Sequence, residues 1–126
     1  MHMAKDFLRV TSVESTAAPV NLIELDLPEV LDTVEFDQFS TTLISAVAAA
    51  PDQPWILDLT RVSYMGSAML GLMVNVRQVV KQSAGRLVLC GMSPRLHGIF
   101  RACTLERLFV IAKARPDAVK AASSRY

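Results

Sequence analysis

The sequence predicts an α/β domain built on a mixed sheet, and two observations carry that reading. From Trp55 onward, short apolar runs alternate with longer stretches whose apolar residues recur every three or four positions. That is the pattern of strands joined by crossover helices, and so of parallel pairing. Ahead of them, two strand-like segments joined through a short turn read as a hairpin, which adds an antiparallel pair. With 126 residues and 52% hydrophobic content, the chain is sized for one core and too apolar for disorder.

In chain order, Lys5–Glu14 holds Phe7, Leu8, Val10 and Val13 among polar residues and reads as a first strand. Ser15–Pro19 is a turn. Val20–Leu27 follows as a second strand with Asn21, Ile23, Leu25 and Leu27 on one face, limited by Pro28. Asp32 and Glu35 have the spacing of a capping box, and the stripe Phe36, Phe39, Leu43, Ala46, Val47 and Ala50 predicts a helix lying on the sheet. Trp55–Leu59 is a short apolar run of central-strand type, followed by a polar turn over Thr60–Ser63. Ser67 opens a helix reaching Gln82, with Met69, Leu72, Met73, Val76, Val79 and Val80 as its stripe and Gly85 closing the segment. Arg86–Cys90 is a further buried strand. Ser93-Pro94 starts a helix with a capping hydroxyl and a proline at the first helical position; Leu96, Ile99, Phe100 and Cys103 line one of its faces. Leu108–Ile111 and Pro116–Ala122 are a last short strand and a terminal helix, giving the order β-β-α-β-α-β-α-β-α.

Several function classes are excluded by composition. Thirteen basic residues against twelve acidic leave a net charge of +1, which gives no footprint for nucleic acid and no basic run for a membrane surface. The longest apolar runs are about six residues against the roughly 20 a bilayer requires, so no direct membrane insertion is expected. No signal peptide is read at the start. Residues 1–4 are expected to be a disordered start or cloning remnant, ahead of a single domain over 5–122. Cys90 and Cys103 make neither a disulfide framework nor a metal set, which points to a reduced, cytoplasmic protein without cofactor or metal.

The chemical motifs are few. His97 sits beside an apolar stripe and reads as a boundary residue rather than a ligand. The five glycines, at positions 66, 71, 85, 91 and 98, form no phosphate loop. Gly66-Ser67-Ala68 lacks the flanking glycines of a nucleophile elbow, having Met65 and Met69 instead. No acid–base or nucleophile–base pair assembles, so the chain does not read as an enzyme. Ser67 has two readings: a helix N-cap, or a switch, since a phosphate there would meet free amides and the positive end of the helix dipole.

Two segments carry a family resemblance. Trp55-Ile56-Leu57-Asp58-Leu59-Thr60-Arg61-Val62-Ser63-Tyr64-Met65-Gly66-Ser67, continued by Leu70-Gly71-Leu72, resembles the central segment of STAS domains, which include the bacterial anti-sigma factor antagonists. Leu87–Pro94 followed by Thr104–Phe109 resembles the family's next strand, Ser-Pro helix start and approach to the final strand. The match is good over 55–111, and residues 5–50 fit by element order. The resemblance implies a four- to five-stranded mixed sheet with helices largely on one face.

It also implies a regulatory role by partner switching, in which an unphosphorylated antagonist binds an anti-sigma factor of the ATPase-kinase type. The kinase phosphorylates a serine at the start of the helix after the central strand, and release follows. Ser67 occupies that position. Members regulated this way usually carry Asp-Ser here; this chain has Gly66 before the serine, and Met69 where glycine is common. The expected phosphoacceptor is therefore Ser67, with Asp58, Arg61, Ser63, Met65, Gly66, Ala68 and Leu70 as expected partner contacts. The expected partner is an anti-sigma factor/serine kinase, with homodimerisation open. The alternatives are a non-switching adaptor or subunit of a transport or signalling complex, and a nucleotide- or lipid-binding module.

Overall fold

The structure is a computed structural model whose described residues are 7–15 and 19–123. Residues 1–4 and the centre of the expected turn, 16–18, lie outside them. The elements are β1 (Leu8–Val13), β2 (Val20–Asp26), α1 (Thr33–Ala48), β3 (Pro54–Arg61), α2 (Ser67–Gln82), β4 (Arg86–Cys90), α3 (Pro94–Ala102), β5 (Val110–Ala112) and α4 (Arg115–Ser123). Their order is the predicted one. Boundaries differ where pairing, which sequence periodicity does not report, extends or moves a strand: Thr60 and Arg61, expected in a turn, continue β3, and β5 falls at Val110–Ala112 rather than at 108–111.

The sheet has the strand order β1-β2-β3-β4-β5. β1 and β2 pair antiparallel, and β2 through β5 are mutually parallel. Parallel crossovers share one hand. With the strands laid down in a single direction, the three crossover helices must therefore fall on the same face. Phe39, Leu43 and Val47 of α1, Leu72, Met73 and Val76 of α2, and Leu96 and Phe100 of α3 pack there on Ile23, Leu57 and Leu89. These three strand residues form one row across the sheet. The neighbouring row, Leu22, Ile56 and Val88, points to the opposite face, where Ala118 and Ala122 of α4 cover it. Small residues let this short helix lie close to the sheet.

Local chemistry sets the helix starts. The Asp32 carboxylate accepts the Glu35 amide at 2.7 Å, and the Glu35 side chain accepts the Asp32 amide at 3.2 Å, completing the box that opens α1. Ser93 Oγ accepts the Leu96 amide at 3.1 Å to open α3. After α2 the left-handed residue is Ala84, at φ 63°, rather than Gly85. Gly85 is needed for closeness, because a Cβ there would lie 2.7 Å from the Gln53 carbonyl oxygen. Cys103, expected on the apolar face of α3, is instead its exposed C-terminal cap. The helix turns out of its apolar register one residue before the stripe would place Cys103 inside.

A polar clamp holds α4 against the sheet. Glu24 and Asp58 are direct neighbours on β2 and β3, an unfavourable pair of like charges unless a cation lies between them. Arg115, at the start of α4, supplies it. Its Nη2 donates to Asp58 Oδ2 at 2.6 Å and to Glu24 Oε2 at 3.1 Å, and its Nε donates to Asp58 Oδ2 at 3.1 Å. The other Asp58 oxygen accepts the Thr60 amide and hydroxyl at 2.9 and 2.6 Å. Burial pushes the Asp58 carboxyl upward, but the Thr60 and Arg115 hydrogen bonds outweigh it and hold the group below its usual value. Gly91, at φ +77°, passes so near that a Cβ would lie 2.3 Å from Thr60 Oγ1 and 2.9 Å from Asp58 Oδ1.

Gly91→Ala is therefore expected to destabilise the protein by at least about 2 kcal/mol, combining left-handed strain with a clash against the hydrogen-bonded Thr60 and Asp58 side chains. Urea unfolding measures it. Asp58 also makes stability acid-sensitive. A carboxyl lowered in the folded chain stabilises at all pH above its unfolded value, near 3.8, and the contribution fades as pH falls through the folded value. Asp58→Asn should start less stable at neutral pH and lose less than the parent protein on acidification below about pH 4, read from urea midpoints across a pH series.

Candidate functional site

The segment between β3 and α2 is shaped by side chains that point inward. The Val62 amide donates to the Leu59 carbonyl at 3.0 Å and turns the chain as β3 ends. Val62 and Met65 then bury in the main core, as do Met69 and Leu70 one helical turn on. With those positions pinned inside, the remaining residues of the turn, Ser63, Tyr64, Ser67 and Ala68, face outward.

Gly66, not Ser67, is the N-cap of α2, and no side chain caps the helix. Ser67 is the first helical residue, so the capping reading of its hydroxyl is corrected. The first amides of α2, those of Ser67, Ala68 and Met69, precede the first intrahelical bond, made by the Leu70 amide to the Gly66 carbonyl at 3.0 Å. An exposed hydroxyl therefore sits at an uncapped, electropositive helix end.

An open groove of about 250 Å³ runs beside it, between the β2–α1 connection and the start of α2. Leu27, Leu31, Phe36, Met65 and Met69 form its apolar wall, and Glu29, Tyr64 and Ser67 also line it. Val30 and Val34, which are 81% and 64% exposed, extend the apolar surface along the same connection into α1.

Glu29 ties three segments together at this end of the sheet. It accepts from Arg95 of α3 at 3.0 Å and from the Ser63 hydroxyl at 3.4 Å, while the Arg95 guanidinium stacks over the Tyr64 ring at 5.2 Å from its centroid. The hydrogen bond and charge of Arg95 hold the Glu29 carboxyl below its ordinary value, so it is an anion at neutral pH. Glu29, Tyr64 and Arg95 were absent from the expected contact set. Glu29 and Arg95 are 66 residues apart, and neither belongs to a local motif that would flag it.

The eight expected site residues divide in two. Arg61, Ser63, Ser67 and Ala68 are exposed and Gly66 is half-buried, with Arg61 turned toward Asp26 at 3.7 Å. Asp58, Met65 and Leu70 are buried, which corrects their reading as surface contacts. Asp58 faces α4, and the two apolar residues anchor the turn from beneath. Met69 also belongs to the core.

The other reactive groups lie elsewhere. His97 faces Glu106 at 3.4 Å. Cys90 lies under α4, where burial, and secondarily the charge of Asp58, push its thiol up to about 11. Among the described residues no cluster of three His, Cys, Asp or Glu side chains could hold a metal ion, and no helix is long and apolar enough to cross a membrane. The strand order never reverses, so the sheet lacks the switch-point crevice in which open α/β sheets usually bind small ligands.

Comparison with known proteins agrees with this geometry. The chain is 28% identical over 95 residues to BtrV of Bordetella bronchiseptica, a protein named as an anti-sigma factor antagonist, covering 75% of this chain and 81% of that one. A STAS domain protein from Planctomyces limnophilus superposes with a TM-score of 0.77 at 24% identity, over 93% of this chain and 98% of the other. SpoIIAA of Bacillus has been solved in unphosphorylated and phosphorylated forms. These superpose with TM-scores of 0.65 and 0.59 at 21% and 22% identity, over 90% of this chain and 95% and 98% of theirs. The sequence profile of the STAS domain matches residues 14–118, and the chain belongs to the STAS domain family.

Proposed function

We propose that this chain is an anti-sigma factor antagonist that acts by partner switching, with Ser67 as phosphoacceptor for an ATPase-type serine kinase that is also the anti-sigma factor. The observation that carries the reading is the exposed Ser67 hydroxyl at the uncapped start of α2, beside an apolar groove. The likeness to BtrV supports the role, and the two solved forms of SpoIIAA support phosphorylation as its control.

The switch is electrostatic and steric. With a neutral serine, the groove and the exposed Val30, Val34 and Tyr64 offer apolar contact to a partner. A phosphate on Ser67 is favoured locally by the free amides and dipole of α2. Yet it places about two negative charges on a surface that also carries anionic Glu29, and these would have to be desolvated on burial against the partner. A loss of 1.4 kcal/mol already weakens binding tenfold.

A second reading, a non-switching adaptor, is favoured by Gly66. Its backbone is extended, and a Cβ would meet nothing nearer than Tyr64 at 3.8 Å. Glycine is thus not demanded by the fold, and the acidic residue of the Asp-Ser pattern is missing without a structural reason.

With a purified partner of the ATPase-kinase type, Ser67→Asp is expected to weaken binding more than tenfold and Ser67→Ala to leave it nearly unchanged. Equal binding by all three proteins would remove Ser67 from the mechanism. Gly66→Asp should cap α2 and raise stability by a few tenths of a kcal/mol. It should also raise phosphate incorporation at Ser67, followed by mass spectrometry. Absence of incorporation in both the parent protein and this variant would favour the adaptor.

A further inference from the structure

The net charge of +1 conceals a segregation along the chain. Nine of the twelve acidic residues and no Lys or Arg lie between Val10 and Thr60, whereas eleven of the thirteen basic residues follow Thr60. Because the strands lie side by side in chain order, this linear asymmetry becomes a spatial one. Acidic side chains gather toward β2 and α1, and basic ones toward α3 and β5. Some of the opposite charge is matched along the seam, where Arg61, Arg95 and Arg115 pair with Asp26, Glu29, Glu24 and Asp58. Beyond the seam lie Arg101, Arg107 and Lys113. The one acidic side chain of α3 and the α3–β5 connection, Glu106, faces His97 at 3.4 Å and Arg101 at 3.6 Å.

β5 is an open edge of the sheet. The Arg86 amide donates to the Gln53 carbonyl at 3.1 Å, so Arg86, Val88 and Cys90 turn their backbone groups to β3, and Leu87 and Leu89 turn theirs to β5. Leu89 is paired with Ile111, so its groups meet Val110 and Ala112, and Ile111 turns its own N–H and C=O outward. Val110 is 56% exposed and Leu108 40%. Beside this edge is an open cleft of about 560 Å³, with Met92, Phe109 and Ile111 as its apolar floor and His97, Glu106, Arg107 and Lys113 on its rim, Glu106 being already engaged by His97 and Arg101.

We infer that this flank is a second docking surface, sharing no lining residue with the Ser67 groove, whose occupant is an extended acidic segment of a partner protein added as a strand beside β5. The outward N–H and C=O groups of Ile111 are satisfied by another strand. The cleft accepts alternate apolar side chains of that strand. Arg107 and Lys113, one at each end of β5, pair with its carboxylates and repel the same flank of a second copy. A lipid surface would match the cations and the apolar floor but would leave the strand's outward backbone groups without partners.

The test uses the full chain and a fluorescein-labelled peptide alternating Glu with Val or Ile, alongside a counterpart with Lys for every Glu. The acidic peptide is expected to bind, with amide NMR shifts concentrated at residues 107–113 and affinity falling as salt rises. Combining Arg107→Glu with Lys113→Glu should weaken it at least tenfold, as should Ile111→Pro, which removes the outward amide and spares the bonds of Val110 and Ala112 to β4. Ser67→Asp should leave this binding unchanged, so its outcome is separate from that of the switch. The inference is overturned by absence of saturable binding up to about 1 mM, by equal binding of the Lys peptide, or by shifts centred on 62–69. It is also overturned if phosphatidylserine vesicles displace the peptide through the same two cations, which would assign the flank to a membrane.

Discussion

The strands of this sheet advance in a single direction, and that constraint organises the rest of the molecule. It sends all three crossover helices to one face and leaves the other bare. A chain whose strands are apolar on both faces must then find a cover for the second one. Here the cover is α4, a nine-residue helix too short to be held by its own hydrogen bonds. It is held by two alanines against the sheet and by the Arg115 clamp on Asp58 and Glu24. Asp58 is therefore a structural carboxylate, although it lies in the segment that otherwise leads directly to the site.

The same segment shows how a site can be displayed without being flexible. Val62, Met65, Met69 and Leu70 fix the turn from inside, so the outward direction of Ser67 follows from helical geometry rather than from any contact of its own. Glu29, Arg95 and Tyr64 then join the connections after β2 and β4 to this turn. A change at Ser67 is consequently made on a firm surface. Hydroxyl, groove and carboxylate thus keep one arrangement relative to each other.

Charge follows topology as well. With chain order preserved across the sheet the acidic and basic stretches lie side by side, and Arg61, Arg95 and Arg115 pair with acidic partners where they meet. The near-neutral total says nothing of this, because a sum discards position. The absence of an electrostatic footprint inferred from net charge thus holds for the molecule as a whole but not for its individual flanks.

Periodicity, caps and punctuation determined the element order, the capping box at Asp32, the Ser93 start of α3 and the place of Ser67 at the opening of α2. These are properties of a few adjacent residues, and local backbone chemistry is enough to specify them. Tertiary structure alone decided that Asp58 turns to α4, that Met65 and Leu70 are anchors rather than contacts, that Gly66 takes the cap, and that Glu29 meets Arg95. Each of those outcomes depends on which strand lies beside which and which face a helix covers. Such relations join residues tens of positions apart, and no local pattern in the chain encodes them.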